Sequence, residues 1–169
     1  MNKLHPFIKE FIEKHIELID NNNYNALYEE WCEICSASAL VFAEVYKALL
    51  DCGIDMLLYM KSIPCEFFYH YVGDELIIPD NITHLDQGAF RECNIDKLVI
   101  PPSITSTGGY LFEDSYIDII TWTGGCIDLS DNATSSCDFE GTVWNITKGS
   151  MLDMQLSDWD NPPFTINYI

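Results

Sequence analysis

Residues able to do chemistry are numerous in this chain, but their spacing assembles few of them into a recognisable site. Seven cysteines stand at Cys32, Cys35, Cys52, Cys65, Cys93, Cys126 and Cys137. Cys32 and Cys35 have the spacing of a redox dithiol or of half a zinc site. Structural zinc needs a second pair, and no other Cys-x-x-Cys and no His-x-His supplies it, because His5, His15, His70 and His84 are scattered. An odd count without a secretory signature reads as free, buried thiols. Paired carboxylates, Glu113 with Asp114 and Asp158 with Asp160, have the residue types for acid–base work, but such neighbours in turns are ordinarily solvated. Asp128, Asp131, Asp138 and Glu140 offer oxygen ligands for calcium without the ordered spacing of a calcium loop. There is no phosphate-binding glycine loop, no Gly-x-Ser-x-Gly, no dinucleotide fingerprint and no His-Glu-x-x-His. No catalytic residue, no metal and no cofactor is expected.

The remaining chemistry is charge. Net charge is -19, and it is uneven: Met1 to Ile63 carries ten Asp and Glu against five Lys, whereas Pro64 to Ile169 carries seventeen against Arg91, Lys97 and Lys148. Such a surface repels phosphates and excludes direct nucleic-acid binding. It attracts basic proteins over about a Debye length, including those that themselves bind nucleic acid. The residues placed on this face are Glu92, Asp96, Glu113, Asp114, Asp118, Asp138 and Glu140.

What must position them is a repeat. The stretch LIIPDNITHLDQGAF, Leu76 to Phe90, returns as LVIPPSITSTGGYLF, Leu98 to Phe112, with each equivalent pair 22 residues apart. Phe90 steps back onto Phe68, while Ile120 and Trp122 step forward onto Thr142 and Trp144 and then onto Phe164 and Ile166. A fixed period of this size, with a β-prone run, a proline and a turn-rich arc, predicts stacked coils that bury an apolar set none could bury alone. Strand-like runs fall near Leu76–Ile78, Lys97–Ile100, Ile117–Trp122, Thr142–Ile146 and Phe164–Tyr168, a narrow parallel ladder. Residues Gly124 to Gly141 read as an irregular coil with a protruding loop.

At Ile78 to Cys93, IPDNITHLDQGAFREC resembles the BspA-type leucine-rich repeats almost position by position. The resemblance is clear over about residues 76–122 and fades toward Ile169. The segment after Cys93 departs modestly, with Tyr110 and Leu111 before Phe112 and Ser115 where the pattern often has cysteine. Leu156 to Ile169 resembles the closing coil of that class. The resemblance implies a solenoid that serves as a binding scaffold, which fixes a fold better than a function.

Before the repeat, Ile8, Phe11, Ile12, Ile16 and Ile19 share one stripe and predict a helix over Pro6–Ile19, with Pro6 at its first turn. Asn21, Asn22 and Asn23 end it. Asn23 can cap a second helix whose Leu27, Tyr28, Trp31 and Cys35 share a face. Ser36 or Ser38 opens a third helical run that Gly53 terminates in a left-handed cap, and Ile54–Tyr59 is a short apolar segment, helical or extended. The expected architecture is therefore α+β: a helical subdomain, residues 1–63, followed by a short leucine-rich-repeat solenoid of parallel strands, residues 64–169. The first part would cover the end of the solenoid and offer a partner-binding or homodimerising surface.

No apolar run is long enough to span a bilayer and no secretory leader is recognisable, so a cytoplasmic location is expected. The glycosylation-type triplets at Asn81, Asn132 and Asn145 then read as turn and strand residues. The function these features suit is non-catalytic protein binding: an acidic inhibitor of phage or mobile-element type that occupies a host protein's basic nucleic-acid channel by mimicry, with Trp122, Trp144 or Trp159 adding contact area or else packing in the core. The alternative is a general repeat scaffold without mimicry.

Overall fold

The computed structural model describes residues 4–35, 41–124, 139–157 and 162–169. The chain folds as two compact units, Met1–Met60 and Lys61–Ile169. The first contains α1 (Pro6–Lys14), α2 (Ile16–Asp20), α3 (Tyr24–Cys35), α4 (Phe42–Asp51) and a 3-10 turn at Met56–Tyr59. The single helix expected over Pro6–Ile19 is broken at His15, φ -108°. The His15 ring folds back so that Nδ1 lies 2.8 Å from the Phe11 carbonyl oxygen. The apolar stripe divides accordingly: Ile8, Phe11 and Ile19 are buried, whereas Ile16 is exposed. Trp31 is the centre of this unit, meeting Phe11 edge-on at 5.0 Å and Phe42 at 5.9 Å between ring centroids. Gly53, φ +80°, closes α4 as its sequence position predicts; its amide bonds to Leu50 O and that of Ile54 to Leu49 O, the paired bonds of a left-handed cap. At the other end α4 starts after extended Val41 without a side-chain cap, and Ser36 and Ser38 lie outside the described residues.

The second unit contains β1 (Ser62–Ile63), β2 (Val72–Ile77), β3 (His84–Leu85), β4 (Asn94–Ile100), β5 (Ser106–Thr107), β6 (Tyr116–Trp122), β7 (Val143–Ile146), α5 (Met151–Leu156) and β8 (Thr165–Tyr168). They form two sheets, β2-β4-β6-β7-β8 and β1-β3-β5, and among the described residues every strand pairing is parallel. The chain is thus an α+β solenoid protein with helices first. Leu76 pairs with Leu98 and Leu98 with Ile120, one repeat apart. The strands begin earlier than the apolar runs suggest, because main-chain pairing extends to polar Asn94 and exposed Val72 and Tyr116.

One junction departs from the repeat. Ile120 pairs with Trp144 and Trp122 with Ile146, so the step is 24 residues there and the expected pairs Ile120–Thr142 and Trp122–Trp144 do not form. The two extra residues fall in the Gly-, Ser- and Asp-rich stretch between β6 and β7, of which 125–138 lie outside the described residues. The added residues lie in the connecting loop, and the register puts buried Trp144 and Ile146 opposite buried Ile120 and Trp122, so each coil still turns the same side inward. From β7 to β8 the step returns to 22, Trp144 opposite Ile166.

Between the strands, the turn arcs stack as well. Phe68, Phe90 and Phe112 form one column, with ring centroids 5.6 and 5.7 Å apart and planes within 7° and 14° of parallel. Main-chain bonds tie the same arcs: Phe68 N donates to Ala89 O and Phe90 N to Leu111 O, both at 3.0 Å. Beyond Phe112 the column turns edge-on to Phe139 and Trp144, and Trp144 then stacks on Phe164 at 4.9 Å. Each arc is flanked by two left-handed residues at the repeat spacing: Glu66, Gly88 and Tyr110 on one side, His70, Glu92 and Asp114 on the other. Only one of these six is glycine, so the stacking sustains a conformation that ordinarily costs an L-residue about 1–2 kcal/mol.

The thiols are not uniformly buried as expected. Cys32, Cys52 and Cys65 are exposed and Cys93 is buried, and all four carry thiols rather than disulfides.

Phe90 packs against a ring on both sides, so Phe90→Ala is expected to lower unfolding free energy by about 3–5 kcal/mol in urea denaturation, and Phe90→Leu by appreciably less. A Cβ on Gly108 would meet main-chain atoms of Gln87 at 2.4 and 2.7 Å, whereas one on Gly141, φ +89°, meets open space. Gly108→Ala should therefore cost about 2–3 kcal/mol and Gly141→Ala only about 1 kcal/mol; equal losses would show that the neighbouring arc yields.

Candidate functional site

The repeat turns single residues into columns, and the seven acidic residues named from sequence fall in different ones. Asp96 lies on β4 and Asp118 on β6, between the registered pairs Ile95–Ile117 and Lys97–Ile119. One repeat earlier stands Asp74 on β2, between Gly73–Ile95 and Glu75–Lys97. All three aspartates are exposed. Sequence reasoning overlooked Asp74, although stepping back 22 residues from Asp96 would have found it. Strands in a sheet lie about 4.8 Å apart, so this is a column of like charges across three neighbouring strands.

Nothing among the described residues neutralises that column with an ion pair. Lys97, the nearest cation in the register, is engaged beside it: its Nζ lies 2.7 Å from Glu75 Oε1. Exposed apolar side chains lie on the same sheet, Val72 and Tyr116 in a column two residues before the carboxylates and Ile77 beyond the Glu75–Lys97 pair. Tyr71 lies buried behind this edge, and its hydroxyl is held above the ordinary tyrosine range by burial first and by Asp74 second.

Glu92 and Glu113 lie in the turn arcs and are occupied. Tyr69, Arg91 and Glu113 recur one repeat apart, and Arg91 draws the carboxylates together. Its Nη1 donates to Glu66 Oε1 at 3.0 Å, and its Nε lies 2.8 Å from Glu113 Oε2 and 3.8 Å from Glu92 Oε1. The guanidinium sits 5.9 Å from the Tyr69 ring centroid. Glu92 also accepts a bond from the Tyr69 hydroxyl at 3.2 Å and lies 3.4 Å from His70 Nε2. The Glu66 hydrogen bond first, and then the surrounding carboxylates, hold the Arg91 pKa above its ordinary value against the opposing effect of burial. Burial first, and then Glu92, raise that of Tyr69.

Asp114 is exposed at a left-handed turn position next to Glu113. Glu140 is exposed in the turn before β7, and Asp138 lies outside the described residues. The structure thus brings Asp96 and Asp118 together with Asp74, and gathers Glu92 and Glu113 around Arg91 in a separate cluster. The tryptophans do not serve as exposed contacts: Trp122 and Trp144 are fully buried, and Trp159 lies outside the described residues. Among the described residues no group of three or more His, Cys, Asp or Glu could hold a metal ion, and no helix is long and apolar enough to cross a membrane. Of the calcium-type loop, only Glu140 is described.

A family model described as a BspA type leucine rich repeat region of six copies matches residues 60–150. No curated protein and no solved structure matches the chain.

Arg91 and Glu113 are each partly exposed, so their coupling should be modest. A double-mutant cycle with Arg91→Met and Glu113→Gln is expected to give about 1 kcal/mol. A coupling near zero in urea denaturation would mean that solvent screens the cluster.

Proposed function

The chain belongs to the BspA-type leucine-rich repeat family, and from that premise we propose that it acts by binding another protein through the exposed face of its five-stranded sheet, without catalysis. Repeats of this kind typically serve as non-enzymatic interaction scaffolds. The observation that carries the finer reading is the column of Asp74, Asp96 and Asp118, exposed, without an ion-pair partner among the described residues and on a sheet that also exposes Val72, Ile77 and Tyr116. Like charges on neighbouring strands repel by roughly 1 kcal/mol per pair even at the dielectric of water. A surface kept only for solubility needs no such alignment, since dispersed charges serve equally well.

The partner that fits is basic. A nucleic-acid-binding protein presents cations where phosphates would sit, and the carboxylate column with the exposed apolar side chains of its sheet occupies that channel, excluding the nucleic acid sterically. Electrostatic steering supplies encounter rate and selectivity, and the apolar side chains supply contact area. A general scaffold without mimicry remains the second reading, favoured by the exposed Val72, Ile77 and Tyr116, which serve any partner with an apolar patch.

The test separates them. Proteins retained by the chain from a lysate at about 50 mM salt should be released at about 500 mM, displaced by competing duplex nucleic acid, and not retained by the triple variant Asp74→Asn, Asp96→Asn, Asp118→Asn. Retention that survives salt and the triple substitution rejects the acidic face. The single variant Asp96→Asn should meanwhile gain up to about 2 kcal/mol of stability at low salt, because it removes repulsion on both sides, and less as salt screens it.

A further inference from the structure

The helical unit contains a cavity that neither the aspartate column nor the Arg91 cluster uses. Its volume is about 340 Å³, at the small end of ligand pockets, and every residue lining it belongs to the first unit. The lining includes two carboxylates, Asp20 and Asp55, and two tyrosines, Tyr24 and Tyr59, but no Lys, Arg or His. Among the described residues neither aspartate has an ion-pair partner.

Two helix C-termini contribute to its wall. Asp20 is the last residue of α2, and Gly53 follows the C-cap of α4. A helix C-terminus carries negative partial charge and favours a basic residue in the last turn. Here α2 ends on Asp20 and α4 on Asp51, and neither has a basic residue in that turn. Side-chain charge and backbone dipole therefore add instead of cancelling. Asp55 caps the 3-10 turn, its Oδ1 accepting from Leu57 N at 3.1 Å, which fixes the second carboxylate. The tyrosine rings stand 5.7 Å apart between centroids, with planes 45° from parallel. Tyr24 is buried and donates its hydroxyl to Asn22 Oδ1 at 3.4 Å, so its own oxygen can still accept. Burial first, and then Tyr59 and Asp20, hold that hydroxyl above the ordinary tyrosine range. Leu58 and Tyr59 also line the cavity and are exposed.

We propose that this cavity receives an arginine side chain presented by a protein partner. The lining supplies what a guanidinium needs: two carboxylates against its charge, tyrosine and asparagine oxygens for its remaining N–H groups, and an exposed ring on which its plane stacks. An ammonium has three donors on a point charge and leaves the ring and part of the acceptor set unused. It is also more strongly hydrated, and so loses more on entering a cavity. Exposed Leu58 and Tyr59 extend the contact past the guanidinium, as a side chain carried on a protein surface requires, and arginine is among the residues that most often anchor interfaces in pockets. A free amino acid would instead bring a carboxylate that the lining repels. The cavity lies wholly in the first unit, so the proposal does not depend on what the aspartate column binds.

In a nuclear magnetic resonance titration of the full chain, N-acetyl-arginine amide should shift the Gly53, Ile54 and Tyr59 amides saturably, with a Kd on the order of 1 mM for one side chain. N-acetyl-citrulline amide, nearly isosteric but uncharged, should bind at least about tenfold more weakly, and N-acetyl-lysine amide at least about threefold. Free arginine should bind more weakly than the blocked form. Asp55→Asn keeps an acceptor for Leu57 N and removes the charge, and Tyr59→Leu removes an exposed ring. Each should weaken the arginine probe at least about fivefold while the amide spectrum of the solenoid stays unchanged. Asp20→Asn should weaken it similarly yet unfold at higher urea, because a carboxylate at a helix C-terminus is unfavourable. The proposal is overturned by the absence of a localised shift, by citrulline or lysine probes that bind as tightly as arginine, or by affinity indifferent to the three variants. Free arginine binding more tightly than the blocked probe would mark a small-molecule site and overturn it too.

Discussion

The structure depends on in-register stacking of successive coils, enforced at once by main-chain hydrogen bonds and by a column of aromatic rings. Neither suffices alone. A single arc such as Asp86 to Cys93 has one phenylalanine and a few turn bonds, too little to offset the entropy of ordering its residues. Stacked, Phe90 is sandwiched between Phe68 and Phe112, while its amide and its neighbours' carbonyls are satisfied across the coils. Strain is absorbed in the same way. Tyr110 and Glu66 take left-handed conformations because main-chain bonds to the neighbouring arc, such as Glu66 N to Gln87 O and Gly88 N to Gly109 O, fix the path of the chain, not because those residues favour it.

This constraint explains where variation is tolerated. Two residues are added between β6 and β7, and the pairing resumes with Ile120 against Trp144. Beyond Phe112 the ring column passes to Trp144 and Phe164. The two buried indole N–H groups of Trp122 and Trp144 have no hydrogen-bond partner among the described residues. This is a cost that the aromatic packing must offset.

Stacking also decides what the surplus charge can do. The same register that aligns phenylalanines aligns carboxylates, so acidic residues one repeat apart are forced into proximity. The second unit resolves this in two ways. In the turn arcs Arg91 gathers Glu66, Glu92 and Glu113, an internal neutralisation that leaves little for a partner. On the sheet face Lys97 serves Glu75, and Asp74, Asp96 and Asp118 stand exposed beside them. A surface of net negative charge thus acquires texture: one cluster satisfied and one column available.

The sequence determined the repeat and therefore the solenoid, because a 22-residue period of apolar and turn residues has few other ways to be buried. It also determined the odd cysteine count and the amphipathic helices that come first. It misjudged α1, since the helical stripe says nothing of the His15 ring turning back on the Phe11 carbonyl. The position of Asp74 in the aspartate column was legible by counting; the engagement of Glu92 and Glu113 was not. The reach of Arg91 across three coils depends on side-chain geometry that spacing does not encode. Nor could the residues between β6 and β7 announce their own excess, because a loop's composition does not state its length against the strands it joins. Tertiary structure decided which columns face solvent, which tryptophans are core, and how β6 and β7 are registered. Each of these is set by contacts between residues 22 or 24 apart, whose register is fixed only when the coils close on one another.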